Sequence, residues 1–252
     1  MAQNFRHAEI LKLARDEGKV VVERLAAHFG VTLQTIRRDL TELCDAGQLT
    51  RVYGGAVLSS GVANIGYEER RGLHAEAKER IGRACAEAIP DEASLFLNIG
   101  TTTEAVARGL LGHRNLMVVT NNLNVANILV QNPSCEVIVA GGLLRRADAG
   151  LVGDMTLEMV SHFKVDFAVI GTSAMDEDGD LLDFDFREVR VSQAILKQAR
   201  RRFLVADHSK FTRAAPVRIG SLAEVDTFFT DAPVSAALAA RCTEWGTGVV
   251  VA

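Results

Sequence analysis

Residues 98–103, NIGTTT, stand between the apolar run SLFL and the helical stretch TEAVARGLL. Gly100 lets backbone approach a ligand closely, Thr101, Thr102 and Thr103 bring hydroxyl donors, and a helix start adds free amides carrying partial positive charge. That is chemistry for holding a phosphate. The competing reading is a Gly-Thr turn that only caps a helix. No Gly-Lys-Ser/Thr follows, so this is not a triphosphate loop. Four more apolar runs end in polar groups: Asn121-Asn122 after LMVVT, Gly141-Gly142 with Arg145 after EVIVA, Gly171-Thr172-Ser173 after FAVI, and Asp207-His208-Ser209-Lys210 after RFLVA. Any one of these reads as a turn. Repeated at one sheet edge, they point to a polyhydroxy phosphate ligand. Lys210 or Arg145 would supply positive charge, and Asp207 or the asparagine side chains would accept from hydroxyls. Glu188, opening REVRVSQAILKQA, is either a further acceptor or a favourable charge at a helix start.

A second constellation lies in 32–46, TLQTIRRDLTELCDA. At about 100° per residue, Leu33, Ile36, Leu40 and Leu43 share one stripe while Gln34, Thr35, Arg38 and Thr41 face away. Thr32 stands where an N-cap belongs and Gly47 where a C′ residue does. The Arg37-Arg38 pair offers guanidinium forks to guanine edges or phosphates, and Gln34 an amide, as a recognition helix in a groove would. Taken alone, the stretch reads first as an ordinary amphipathic helix with a solvated charged face. Its neighbours decide. A helix from about 5 to 16 turns Ile10, Leu13 and Ala14 inward and stops at Gly18, and VERLAAHFG forms a short helix with Val22, Leu25, Ala26 and Phe29 inside. Gly30-Val31 makes the turn into Thr32. Beyond Gly47, strands at 49–53 and 56–58 flank Gly54-Gly55, a hairpin signature. The sum is a winged helix-turn-helix. Arg51, beside Tyr53 on the wing, either touches a phosphate or the minor groove or is an edge-strand charge.

The phosphate-type loops need a scaffold too. SSGVANIGYEERRGLHA shows no sustained periodicity and reads as a linker over 59–75, in which Tyr67 and Leu73 can dock on either side. AEAKERIGRACAEAI then places Ile81, Ala84, Cys85, Ala88 and Ile89 on one helix face before Pro90. SLFLNIG, LMVVTNN, EVIVAGG, DFAVIGT, RFLVADHS, DTFFTD and GVVVA are short apolar runs with helical stretches between most of them. That pattern predicts a parallel α/β sheet covered on both faces, with ligands outside the carboxyl ends of its strands. The expected organisation is 1–58 DNA-binding, 59–75 linker and 76–252 effector-sensing.

At 252 residues, 48% hydrophobic and 24% charged, the chain has ordinary soluble composition for about two domains. Its net charge of −4 is uneven. Residues 1–58 hold eight Lys/Arg against seven Asp/Glu, and the remainder twenty against twenty-five. Only the first segment approaches DNA cheaply. So small a surplus calls for placed arginines and several copies of the head, hence a homo-oligomer, a dimer or tetramer. Cys44, Cys85, Cys135 and Cys242 lie far apart with no zinc spacing, so reduced thiols, no metal and no cofactor are expected. MAQNFRHAEI has no apolar leader core and no run approaches the ~18 residues of a membrane helix, so no membrane partner and a cytoplasmic location are expected.

Arg6, followed by Ile10, and the string TIRRDL over 35–40 resemble the N-terminal signature of the DeoR family of bacterial transcriptional repressors, over about residues 5–58. IGTTTEAVA, VTNNLNVAN, AGGLLR, LLDFDFREVR, DHSKF and TDAP extend the resemblance over nearly the whole chain. It implies that the helix bearing Thr35, Arg37 and Arg38 enters the major groove of double-stranded operator DNA. It also implies a C-terminal domain resembling the ribose-5-phosphate isomerase fold that senses a phosphorylated sugar or polyol, glycerol 3-phosphate foremost. Many members carry Asp where this chain has Asn98. An amide repels a dianion less, so phosphate binding is kept, while a proton-transfer role there is not. Two function classes follow: a repressor released from DNA by a phosphorylated metabolite, and a phosphosugar isomerase with a regulatory head, using Asp207, Lys210 and Glu188 as acid-base groups. The TIRRDL helix favours the repressor, because an isomerase has no need of it.

Overall fold

The computed structural model describes residues 2–17, 19–45, 48–52, 54–58 and 66–252. Gly18, Gly47, Tyr53 and 59–65, which carried two expected helix stops, the end of an expected strand and most of the linker, lie outside these. The head consists of α1 (Ala2–Glu17), β1 (Lys19–Val21), α2 (Val22–Phe29), α3 (Leu33–Asp45), β2 (Leu49–Val52) and β3 (Gly55–Leu58). Gly30 ends α2 in the left-handed conformation at φ 62°, and the Thr32 hydroxyl accepts the Thr35 amide at 3.2 Å to start α3. Ile36, Leu40 and Leu43 bury fully against Ile10, Ala14, Leu25 and Ala26, each large side chain contributing roughly 1.5–3 kcal/mol of transfer free energy. Leu33, expected on the same stripe, is 41% exposed: it sits in the first turn, outside that cluster.

Strand β1 was not foreseen, because three residues carry no readable period. It pairs with β3, Val20 opposite Ala56, to give the order β1-β3-β2. This explains both glycines of the wing. Gly54 turns the chain at φ 75°, and a Cβ on Gly55 would lie 1.9 Å from the Val20 carbonyl oxygen.

The remainder runs α4 (Tyr67–Gly72), α5 (Ala75–Glu87), β4 (Ser94–Leu97), α6 (Thr101–Gly109), β5 (Leu116–Thr120), α7 (Leu123–Leu129), β6 (Cys135–Val139), β7 (Leu143–Leu144), β8 (Leu151–Val152), α8 (Asp154–Ser161), β9 (Val165–Ile170), β10 (Ala174–Met175), β11 (Asp180–Asp183), α9 (Phe186–Lys197), β12 (Ala199–Val205), β13 (Val217–Ser221), β14 (Thr227–Thr230), α10 (Ala236–Trp245) and β15 (Gly248–Val251). All seven expected runs join one sheet in the order β15-β14-β12-β9-β4-β5-β6, every pairing parallel. Side chains alternate between two cores. Leu95, Leu97, Phe167, Val169, Phe203 and Val205 pack under α5, α6 and α7, whereas Phe96, Ala168, Ile170 and Leu204 pack under α8, α9 and α10. The fold is an α/β three-layer domain with a winged helix-turn-helix ahead of it.

Two expectations shift. Ala88 is exposed, since the buried face of α5 runs through Ala77, Ile81, Gly82, Cys85 and Ala86 instead. Within the expected linker, 67–72 is helical, and Tyr67 donates its hydroxyl to Glu104 of α6 at 3.0 Å. Among the described residues no helix is long and apolar enough to cross a membrane. The four cysteines are free thiols, Cys85 and Cys242 buried.

Candidate functional site

On the head, Gln34, Thr35, Arg37, Arg38 and Thr41 line one open groove along α3, together with Arg6 and Thr32. Gln34, Arg37 and Arg38 are exposed. Arg38 Nε donates to Glu42 Oε1 at 3.1 Å, a surface pair one turn along. The Thr41 hydroxyl is spent on its own helix, donating to the Arg37 carbonyl at 2.8 Å. Arg6 serves the fold. Its Nε and Nη2 donate at 2.8 and 3.1 Å to the two carboxylate oxygens of Asp39, which is 1% exposed. That fork locks α1 to α3 at the side of the groove and leaves Arg37 and Arg38 exposed. Arg51 is exposed on the wing, opposite Ala56.

In the second domain, the sheet grows from β4 one way through β5 and β6, and the other way through β9, β12, β14 and β15. The loops after β4 and β9 therefore diverge and leave a crevice, the place where open α/β sheets bind ligands. A cavity of about 40 Å³ sits there. Gly100 and the three threonines 101–103 line it, together with Thr172, Ser173, Asp183, Glu188, Lys210, Asp148 and Arg70. Gly100, at φ 144°, turns strand into helix, and α6 begins at Thr101, two residues earlier than the sequence pattern indicates. Thr101, Thr102 and Thr103 thus form the first helical turn, whose amides have no intrahelical acceptor, and no side chain caps it. Thr103 donates its hydroxyl to the carbonyls of Asn98 and Gly100 at 2.8 and 2.7 Å, which leaves the Thr101 and Thr102 hydroxyls for a ligand. Asn98 holds the floor, donating Nδ2 to Ser192 Oγ at 2.7 Å and accepting the Ile99 amide at 2.8 Å.

Cations crowd this crevice. Burial pushes Lys210 down to about 8, Asp207 acting against that and Arg213, Lys78 and Arg70 with it. Burial also lowers Lys78 and Arg213, with Arg70 acting in the same direction on both. Burial would raise the Asp207 carboxyl, but Lys210, the Ser209 hydroxyl, Lys78 and His74 together bring it down to about 2. The carboxylates on the walls are offset: burial raises Asp183, and Arg145 pairs with Glu188 and with Asp148 and Asp185 at 3.5 and 3.3 Å. Uncapped amides, free hydroxyls and mutually repelling buried cations make an anion cradle.

Of the residues singled out in the sequence, Asn98, Gly100, Thr101, Thr102, Thr103, Gly171, Thr172, Ser173, Glu188 and Lys210 come together. Arg145 and Asp207 stand one layer back, as partners of Glu188 and Lys210. Asn121, Asn122, Gly141 and Gly142 are not on the cavity wall. Asn121 donates to the Leu151 carbonyl and Asn122 caps α7 by accepting the Asn124 amide at 2.8 Å. The Gly141 carbonyl accepts the Thr156 hydroxyl at 2.6 Å, and Gly142 packs tightly on Thr156. β5 and β6 lie one and two strands beyond β4, on the side away from β9, which puts these loops past the crevice. Arg70, Asp148, Asp183 and Ser192 were missed; they come from the connector, a two-residue-strand hairpin, the end of the short strand β11 and the middle of α9, none of which ends one of the seven apolar runs.

A helix-turn-helix head with an open arginine-bearing face, followed by a parallel α/β domain with a polar cavity at its switch point, defines a DNA-binding regulator with a sensor domain. Residues 6–61 match the DeoR-like helix-turn-helix domain and residues 73–232 the DeoR C terminal sensor domain. The chain belongs to the DeoR family of transcriptional repressors. It is 48% identical over 233 residues, 92% of each chain, to the glycerol-3-phosphate regulon repressor of Escherichia coli K12, and 47% identical to that of Haemophilus influenzae, covering 91% of this chain and 90% of the relative. It is 41% identical to the E. coli HTH-type transcriptional repressor CsqR, over 94% of this chain and 91% of that one. A ribose-5-phosphate isomerase in complex with phospho-erythronic acid superposes at TM-score 0.41, with 15% identity over 54% of each chain.

Proposed function

We propose that this repressor binds operator DNA through α3 and the wing, governs a regulon of glycerol 3-phosphate metabolism, and lets go when a phosphorylated polyol, glycerol 3-phosphate, enters the crevice at α6. The observation that carries the reading is the uncapped first turn of α6 facing Lys210 and Arg70 across one polar cavity. Two relatives near half identity are glycerol-3-phosphate regulon repressors, which supports the choice of ligand. Gln34, Thr35, Arg37, Arg38 and Arg51 meet the DNA; Gly100, Thr101, Thr102 and Lys210 meet the phosphate, and Glu188 accepts from the polyol. The head's small positive surplus makes the working form a homo-oligomer that engages more than one half-site at once. Its partner being operator DNA, it acts in the cytoplasm. No reaction is assigned to the cavity, and the three relatives compared above are transcriptional repressors rather than enzymes.

A thermal-shift screen tests the ligand, because binding to the native state raises the melting temperature by mass action. Glycerol 3-phosphate is expected to shift it more than ribose 5-phosphate, fructose 6-phosphate or glycerol. A shift with glycerol equal to that with glycerol 3-phosphate would remove the phosphate from the account.

A further inference from the structure

We infer that Arg70, carried on the connector helix α4, is itself a ligand of the effector's phosphate, so that the segment leading out of the DNA-binding head forms one wall of the sensor site. This rests on the crevice being the phosphate site and adds to it a residue from outside the sheet loops. Arg70 reaches the same cavity as Gly100 and Thr102 from the far side. Its side chain is only 16% exposed, and its Nε is buried without a hydrogen-bond partner. Its acidic partner there, Asp148, stands 3.5 Å from Nη2, beyond a good charge-assisted hydrogen bond.

A buried guanidinium with an unfilled fork is costly, and an anion that accepts two parallel bonds removes the cost. Asp148 supplies little of this, since it also accepts the Gly150 amide at 3.3 Å and lies 3.5 Å from Arg145. A phosphate seated on the α6 amides meets Arg70 with three acceptor oxygens. The backbone of α4 is fixed for the task. Lys78 Nζ donates to the carbonyls of both Arg70 and Leu73, and Tyr67 anchors the other end on Glu104. Effector binding therefore exchanges the Arg70–Asp148 contact for an Arg70–phosphate one at the point where the chain leaves for the DNA head.

Calorimetric titration of the full chain with glycerol 3-phosphate, and separately with inorganic phosphate, tests this in Arg70→Gln, Arg70→Lys and Thr102→Asp. Arg70→Gln is expected to weaken both ligands by roughly 10- to 100-fold, the loss of a hydrogen-bonded charge. Arg70→Lys is expected to fall between it and the wild type, because an ammonium keeps the charge without the fork. Thr102→Asp should bind neither. Wild-type affinity in Arg70→Gln, with Thr102→Asp inactive, would overturn the role of Arg70 and leave the crevice standing. Wild-type affinity in Thr102→Asp would overturn the crevice and this inference with it. Should circular dichroism show Arg70→Gln unfolded, Arg70→Lys decides: a Kd within about twofold of wild type overturns the inference.

Discussion

Arg38 and Lys210 set the residue-scale expectations. Arg38 is 78% exposed and, among the described residues, is paired with Glu42 on its own helix, an arrangement worth a few tenths of a kcal/mol at such a surface. The bidentate base contact proposed for it is worth about 1–3 kcal/mol, which outweighs that pair. Arg38→Ala is expected to weaken specific operator binding by about that amount with the head folded, and gel-shift titration reads it directly. Unchanged affinity would take Arg38 off the bases. Lys210 makes the sensor pH-sensitive. Burial brings it down to about 8 in the free protein, whereas an unfolded lysine holds its proton to about 10.4. The folded chain thus binds fewer protons than the unfolded chain between those values, and this group's penalty on stability eases as pH rises from 8 to 10. A phosphate beside Lys210 favours the ammonium, so effector binding near pH 8 takes up protons. With the phosphate already dianionic above about pH 6, affinity is expected to stay level from pH 7 to 7.5 and to fall from pH 8 to 9. Equal Kd values at pH 7 and 9 would take Lys210 out of contact with the anion.

At the scale of elements, α5 against α6 decides whether the cradle is held rigidly. A Cβ on Gly82 would come within 2.5 Å of the Ala105 carbonyl carbon, and one on Gly109 within 2.8 Å of Ala86 Cβ. The two helices touch at backbone distance, which fixes the α6 start over the crevice. Gly82→Ala is expected to lower stability by about 1–3 kcal/mol through overpacking and to weaken glycerol 3-phosphate binding with it, as melting curves with and without ligand would show. A variant as stable as wild type would mean that the contact relaxes freely. The same elements show what was legible beforehand. The seven sheet strands were readable because a strand buried on both faces is a continuous apolar run, and the threonine loop because it ends one of them. Ile36, Leu40 and Leu43 were readable from helical spacing. The connector helix was not: the face that Tyr67 and Arg70 turn inward is polar, so YEERRG carries no apolar stripe. Asn122 and Gly142 look like ligand groups in sequence, yet a helix cap and a close approach to Thr156 use up the same residue types. The Arg6–Asp39 fork, 33 positions apart, has no local signature at all.

The molecule as a whole works only if the two ends are coupled, and coupling requires that the effector bind the DNA-free arrangement better than the DNA-bound one. The path available is short: crevice, Arg70, α4, then the chain into the head. On the proposed reading a carboxylate at Thr102 takes the place of the phosphate and repels it, so Thr102→Asp should be deaf to the effector and repress permanently. The most direct test is fluorescence anisotropy of operator DNA, selected from genomic fragments with the wild-type protein, during titration with glycerol 3-phosphate. Wild-type protein is expected to release the DNA over the titration, and folded Thr102→Asp to stay bound throughout. Release of Thr102→Asp at wild-type concentrations of glycerol 3-phosphate would contradict the account, placing the controlling phosphate away from the first turn of α6.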